Sequence, residues 1–268
     1  MLALKPALRD ITLGLPDLVR LLFLNGQQGI WYDPSDLRTL FQDSAGTTPV
    51  TADSQPVGLA LDKSGNGNHA SQATATARPL YRTDGVRHWL EFDGVDDFMV
   101  TPAFAWNAGT AVYSAAVRKN TETPTGAFLE FSAGTDASGG GFILFHNQNT
   151  VNGFGLNAKV PGGGTTVVTR LATAGFPAPV DAVATGLMDS AAQSLILRLN
   201  STPSGSGSGT FGPGVLGTHP LYLGIRGGTT FPLNGGIYGA ILRNVLPTAG
   251  QLSMIESYLA GKAGVVLP

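Results

Sequence analysis

Trp31-Tyr32-Asp33-Pro34-Ser35-Asp36, then Leu61-Asp62-Lys63-Ser64-Gly65-Asn66-Gly67-Asn68-His69-Ala70, then Leu90-Glu91-Phe92-Asp93-Gly94-Val95-Asp96-Asp97-Phe98: these three segments decide how the chain is read. The first two are tight polar turns flanked by apolar residues. The third alternates apolar and polar side chains, the period of a strand with one covered face, and stops at a glycine-bearing acidic turn.

Working outward, the same grammar recurs. Windows at 89–92, 99–101, 111–118, 127–132, 141–146, 153–158, 180–188, 194–199, 221–225 and 235–242 read as strands. They are rich in Val, Phe, Leu and Tyr and end at glycine. Turn clusters include Ser138-Gly139-Gly140-Gly141 and Pro161-Gly162-Gly163-Gly164. Ser204-Gly205-Ser206-Gly207-Ser208-Gly209 has linker composition, but flanking strands make it read as an exposed hairpin tip. At the C-terminal end the pattern changes. Leu252, Ile255 and Leu259 share one helical face, with Thr248 or Ser253 to open the helix and Gly261 or Gly264 to close it.

The chain has 268 residues, enough for one large sandwich, and its 37 glycines and 17 prolines suit many short strands joined by turns. Charged residues are 13% and the net charge is -2, so nothing attracts a nucleic-acid backbone. With no cysteine, disulfides and thiolate metal sites are excluded, in keeping with assembly in a reducing cytoplasm.

Residues 1–28 form a separate N-terminal arm ahead of a sandwich at 29–268. Its apolar run is broken by Lys5, Pro6, Arg9, Asp10, Pro16, Asp17 and Arg20, too often for a signal-peptide core or membrane insertion. Pro16, Leu18, Leu21 and Leu22 mark a short helix opening at the proline, and 25–29 reads as a turn. The arm reads either as an element lying on the domain or as a docking segment led by Leu15, Leu18, Leu21, Leu22, Phe23 and Leu24.

The order of the three opening segments resembles laminin-G-like, concanavalin-A-like jelly rolls of bacteriophage virion proteins. So does the closing pair, Gly235-Gly236-Ile237-Tyr238-Gly239-Ala240-Ile241-Leu242 with Ile255-Glu256-Ser257-Tyr258-Leu259-Ala260-Gly261-Lys262-Ala263-Gly264-Val265. Trp31-Tyr32-Asp33-Pro34 with 40–50 is similar to a segment recurring in phage tail and virion proteins. The phage versions often carry aromatic residues near that last lysine, where this chain has Ala263. The match covers both ends of roughly 29–265, and the middle fits by strand pattern. The resemblance implies an all-β, antiparallel two-sheet jelly roll and a non-enzymatic virion protein, a tail fibre, tail-tip or capsid decoration. Its partners would be other virion proteins and a host surface glycan, and its glycine-rich edges imply a homo-oligomer.

Catalysis is the alternative, because glycoside hydrolases share this fold and use two facing carboxyls. Glu91, Asp93 and Asp96 approximate the Glu-x-Asp-x-x-Glu strand of related glucanases. Gly94 interrupts the run, however, and the only other glutamates are Glu122, Glu130 and Glu256. No catalytic residue is assigned. His69, His88, His146 and His219 have no paired ligand spacing, His69 following a turn, and Gly162-Gly163-Gly164-Thr165 lacks the lysine of a phosphate loop. Asp62, Asn66, Asn68, Asp96 and Asp97 offer oxygens that suit calcium, or else serve turn geometry. No other cofactor is implied. Trp31, Tyr32, Trp89, Trp106, Tyr113, Tyr222 and Tyr238 could supply a sugar platform or, on alternating strands, core.

Overall fold

In a computed structural model of the chain, the structure describes residues 14–132, 140–146, 153–161, 168–171, 175–208 and 211–268. Residues 1–13 of the arm, Ser138-Gly139 and Gly162-Gly163-Gly164-Thr165 lie outside the described residues.

The first elements are helix α1 (Leu15–Leu21) and strands β1 (Gly29–Tyr32), β2 (Leu40–Phe41), β3 (Leu59–Ala60), β4 (Ala70–Ser71), β5 (Leu80–Thr83) and β6 (His88–Asp93). They are followed by β7 (Met99–Val100), β8 (Phe104–Ala105), β9 (Thr110–Lys119), β10 (Gly126–Ser132), β11 (Gly141–His146), β12 (Phe154–Lys159) and β13 (Val168–Leu171). The chain closes with β14 (Val180–Asp189), β15 (Ser194–Leu199), β16 (Thr202–Ser208), β17 (Thr218–His219), β18 (Leu221–Leu223), β19 (Asn234–Arg243) and helix α2 (Ala249–Ala263). Each expected strand window overlaps a strand, with Thr101, Gly153, Gly224 and Ile225 falling just outside β7, β12 and β18.

Two large antiparallel sheets form the sandwich. One runs β16-β15-β14-β9-β19-β6-β5, with β1 also pairing with β19, and the other runs β13-β12-β11-β10-β18-β7-β4-β3-β2. β19 pairs over Gly235–Arg243 with β9, while its other edge takes β6 at Asn234–Ile237 and β1 at Ala240–Arg243. The first strand and the last are therefore neighbours at the centre of one sheet.

Alternation decides what each strand buries. In β15, Leu195, Leu197 and Leu199 face the other sheet while Ser194, Ile196 and Arg198 face outward. The inter-sheet core is aromatic at its centre, with Tyr113 of β9 stacked on Phe142 of β11 at 4.1 Å. Each such side chain contributes roughly 1.5–3 kcal/mol by leaving water. The outer face of the eight-stranded sheet is covered too. Trp31, Trp89, Ala116, Val183, Tyr238 and Ile241 pack against α2 and the segment around α1.

α2 begins as its sequence predicts, with Thr248 Oγ1 accepting from Gln251 N at 3.2 Å and the Gln251 side chain accepting from Thr248 N. It ends at Gly264, whose φ of 70° only glycine adopts cheaply. α1 opens with Pro16 in its first turn. One expectation fails: the Ser-Gly run is no hairpin tip. Residues 202–208 are edge strand β16, paired with β15, and the turn sits earlier, at Asn200 and Ser201, which take positive φ. Backbone pairing overrides a composition that carries no side-chain signal.

Candidate functional site

The residues that carry the sequence resemblance form a structural lock. Asp62 Oδ1 accepts from the backbone N–H of Trp31 and Ser64, each at 2.9 Å, and Oδ2 accepts from the Ser64 hydroxyl and Asn68 N. The Asn68 and Asn66 amides donate to Gly29 O. Asp33 lies between Lys63 at 3.1 Å and Lys262 at 2.9 Å, and accepts from Tyr258 Oη. Burial alone would raise the Asp33 carboxyl. The Ser35 hydrogen bond and the two lysines outweigh it and hold the group well below the usual carboxylate range.

With both its oxygens taken by protein donors, Asp62 has no oxygen free for calcium. Among the described residues, the carboxylates with metal-like spacing are instead Asp93, Asp96 and Asp97, whose ligand atoms lie within 4.8 Å of one another. Burial, then the charges of Asp93 and Asp96, push Asp97 up to about 7. Turn geometry already accounts for this placement. Asp93 Oδ1 accepts from Val95 N and Asp96 N, Asp97 Oδ2 accepts from Asp93 N, and Gly94 turns the chain with φ of 81°.

The glucanase-like acids do not assemble into a cleft. Glu91 accepts from Trp89 Nε1 at 3.3 Å and lies 3.8 Å from Arg82, while Asp93 ends the strand and Asp96 belongs to the turn beyond it. The histidines are equally separate. His69 Nδ1 accepts from Asp62 N, His88 Nδ1 bonds Tyr81 Oη, and His219 stacks edge-on against Phe131. His146 is fully buried with no partner for either ring nitrogen.

Of the aromatic residues proposed as a platform, all are buried except Tyr222. Leu221 and Leu223 point into the core, so Tyr222 stands on the outer face of the nine-stranded sheet. Directly opposite it in register is Glu130 of β10, flanked by core-facing Leu129 and Phe131. Further along the same cross-strand row come Ile143 and Asn157. Phe98 lies 6.5 Å from Tyr222, and the rings are tilted.

Glu130 is only 3% exposed. Its carboxylate accepts from Gly227 N and has Arg226 Nε at 3.5 Å, and the Arg226 guanidinium sits 5.4 Å over the Phe231 ring. Burial pushes the Glu130 carboxyl up against the lowering effects of Arg226, Ser132 and Gly227, and burial with Glu130's charge raises Tyr222. This face thus offers a part-exposed aromatic ring and a planar donor, Arg226, held in place by the shielded Glu130 carboxylate. Such a patch can stack the C–H face of a ring and hydrogen-bond its hydroxyls. Sequence reading kept Tyr222 among many aromatics and Glu130 only as a spare glutamate. Arg226 and Phe98, in turns, carried no signal.

No protein-family model matches the chain, and no curated protein matches it by sequence. Solved structures do. One described as concerning cell entry of botulinum neurotoxin type C through interaction with two ganglioside molecules aligns with a TM-score of 0.57 at 8% identity, over 88% of this chain and 52% of that one. The binding domain of botulinum neurotoxin serotype G aligns with a TM-score of 0.56 at 8% identity, over 75% and 48%. A Trypanosoma rangeli sialidase complex gives 0.53 at 12% identity, over 88% and 33%. The chain spans about half the length of the toxin chains and a third of the sialidase. The likeness is one of fold. It agrees with the β-sandwich of the chain.

Proposed function

We propose that this chain is a non-enzymatic glycan-binding jelly roll, carried on a bacteriophage virion as a tail fibre, tail-tip or capsid decoration protein. The observation that carries the binding role is the Tyr222–Glu130 pair on the outer face of the nine-stranded sheet, with Phe98 and Arg226 beside it. Two similar folds support a carbohydrate ligand: the botulinum neurotoxin type C structure is described with gangliosides, and the Trypanosoma rangeli structure is a sialidase complex. The virion role is supported by the resemblance of the opening and closing segments, and residues 1–28 would attach the domain to other virion proteins. Host-cytoplasmic assembly and self-association into a homo-oligomer belong to the same reading.

A glycan array probed with the full chain and with Tyr222→Ala tests the binding role. Specific signal lost in the variant supports it, and equal signal from both ends it. Labelled particles imaged with and without residues 1–24 test the virion role, which fails if truncation leaves incorporation unchanged. The alternative, a polysaccharide-active glycoside hydrolase, draws on one observation: Glu130 is a shielded carboxyl with a raised pKa, as a proton donor requires. Its charged neighbour is Arg226 rather than a second acid, which favours binding. Polysaccharide release that disappears in Glu130→Gln would reverse this choice.

A further inference from the structure

Arg198 reaches the outer face of the eight-stranded sheet from β15 and meets α2 there. Glu256 of α2, only 1% exposed, takes it in a two-point pair, with Nε donating to Oε1 at 2.8 Å and Nη2 to Oε2 at 3.0 Å. Nη2 also donates to Ser201 O, in the turn where positive φ at Asn200 and Ser201 leads β15 into β16. The guanidinium plane is thereby fixed. Its remaining nitrogen, Nη1, has no partner among the described residues and is not sealed from solvent.

Arg198 and Glu256 themselves line a cavity of about 300 Å³. α2 adds Leu252, Ser253 and Ser257 to its wall, the turn adds Ser201, and the segment after α2 adds Leu267 and Pro268. No hydrogen bond among the described residues engages the Ser201, Ser253 or Ser257 hydroxyl.

The chemistry of this lining selects its occupant. Glu256 cancels the Arg198 charge at contact distance, so an anion gains little. An apolar molecule would cover Nη1 and the serine hydroxyls and leave them unpaired, which is costly. A neutral ring bearing several hydroxyls meets both needs. Its oxygens accept from Nη1 and exchange hydrogen bonds with the serines, which both donate and accept. Its C–H face covers Leu252, Leu267 and the Pro268 ring. The volume lies at the lower end of the roughly 300–1,000 Å³ of small-molecule sites, which suits one ring rather than a chain.

We propose that the cavity beside the Arg198–Glu256 pair is a binding site for one uncharged sugar ring. It lies on the opposite sheet from Tyr222 and uses none of the residues of that face, so the two sites stand or fall independently.

Saturation-transfer NMR on the full chain tests the site. The sugars are methyl glucoside, methyl galactoside, methyl mannoside and methyl N-acetylglucosaminide, with inorganic phosphate and N-acetylneuraminic acid as charged competitors. At least one methyl glycoside should bind the parent chain and Tyr222→Ala alike. Ser257→Leu, whose larger side chain fills the cavity, should bind it about tenfold more weakly or worse. Arg198→Lys keeps a cation for Glu256 but deletes the Nη1 donors, and should weaken the same sugar. Neither charged competitor should displace it. Should Ser257→Leu fold poorly, Ser253→Leu replaces it. No binding by any of the four glycosides overturns the site, as does unchanged binding in either cavity variant. Loss of binding in Tyr222→Ala assigns the sugar to the other sheet and overturns this site alone. Displacement by phosphate overturns the neutral ligand in favour of an anion.

Discussion

Tyr258 Oη donates a 2.8 Å hydrogen bond to Asp33 Oδ2, tying the turn after the first strand to the final helix across 225 positions of sequence. Trp31 Nε1 in turn donates to Tyr258 Oη, while Lys262 lies 4.9 Å from the Tyr258 ring centroid. The opening and closing segments of the sandwich therefore meet in one contact. Asp33 is the shared acceptor for Tyr258, Lys63 and Lys262, so Asp33→Asn leaves Lys262 without its counter-charge and Lys63 with Asp36 alone. It should cost about 3 kcal/mol, against about 1 kcal/mol for Tyr258→Phe. Urea unfolding of both variants and of the double variant checks this, and the coupled pair should lose less than the sum.

His146 predicts acid lability. Burial, then the nearby Lys119 charge, lower its pKa to about 4, with Glu122 partly offsetting them. The unfolded chain protonates near 6.5 and the folded chain near 4, so between these values the unfolded state binds the extra proton. Stability is complete above 6.5 and falls as pH drops through this window, by up to about 3 kcal/mol. His146→Leu should flatten that limb. Urea midpoints at pH 7 and pH 4.5 decide, and an unchanged pH slope in the variant removes His146 as the cause.

How much of this was legible beforehand depends on periodicity. Strand β15 declared itself by strict alternation, and β9 and β14 did so as long, largely apolar runs. β2, β3 and β4 have two residues each, too few for any period. β1, Gly29–Tyr32, is buried on both faces, between the core and the helices, so it has no polar phase to read. β16 is glycine and serine held by its partner's backbone. The site was harder. Tyr222 and Tyr238 look alike in sequence, but they stand on different sheets, and it is the outer face around Tyr238 that α2 covers. Arg198 continues a strand alternation as any outward residue would, and its pairing with Glu256 is a tertiary fact.

The end of α2 supplies a third test. Gly264 holds a left-handed φ of 70°, and its N–H bonds Ala260 O, while an added Cβ would meet Arg87 Cδ at 3.4 Å. Gly264→Ala should cost about 1 kcal/mol, nearly all of it conformational. Gly261→Ala is the control, because it lies inside the helix with open space around it and should be neutral or stabilising. Equal midpoints for the two variants would remove the cap from the account of how the helix terminates.

The glycan face makes the last prediction. Tyr222 contributes its ring on the outer surface, directly opposite Glu130 in register. Tyr222→Phe should keep glycan affinity within about threefold, because stacking needs only the ring. Tyr222→Ala should lose about tenfold or more, equivalent to roughly 1.4 kcal/mol. Both variants should unfold near the parent midpoint, since Leu221 and Leu223 carry the core packing of β18. Calorimetric titration with a glycan that scores on the array separates the cases. A Tyr222→Phe variant as impaired as Tyr222→Ala would mean that the hydroxyl, and hence hydrogen bonding rather than ring stacking, dominates recognition on this sheet.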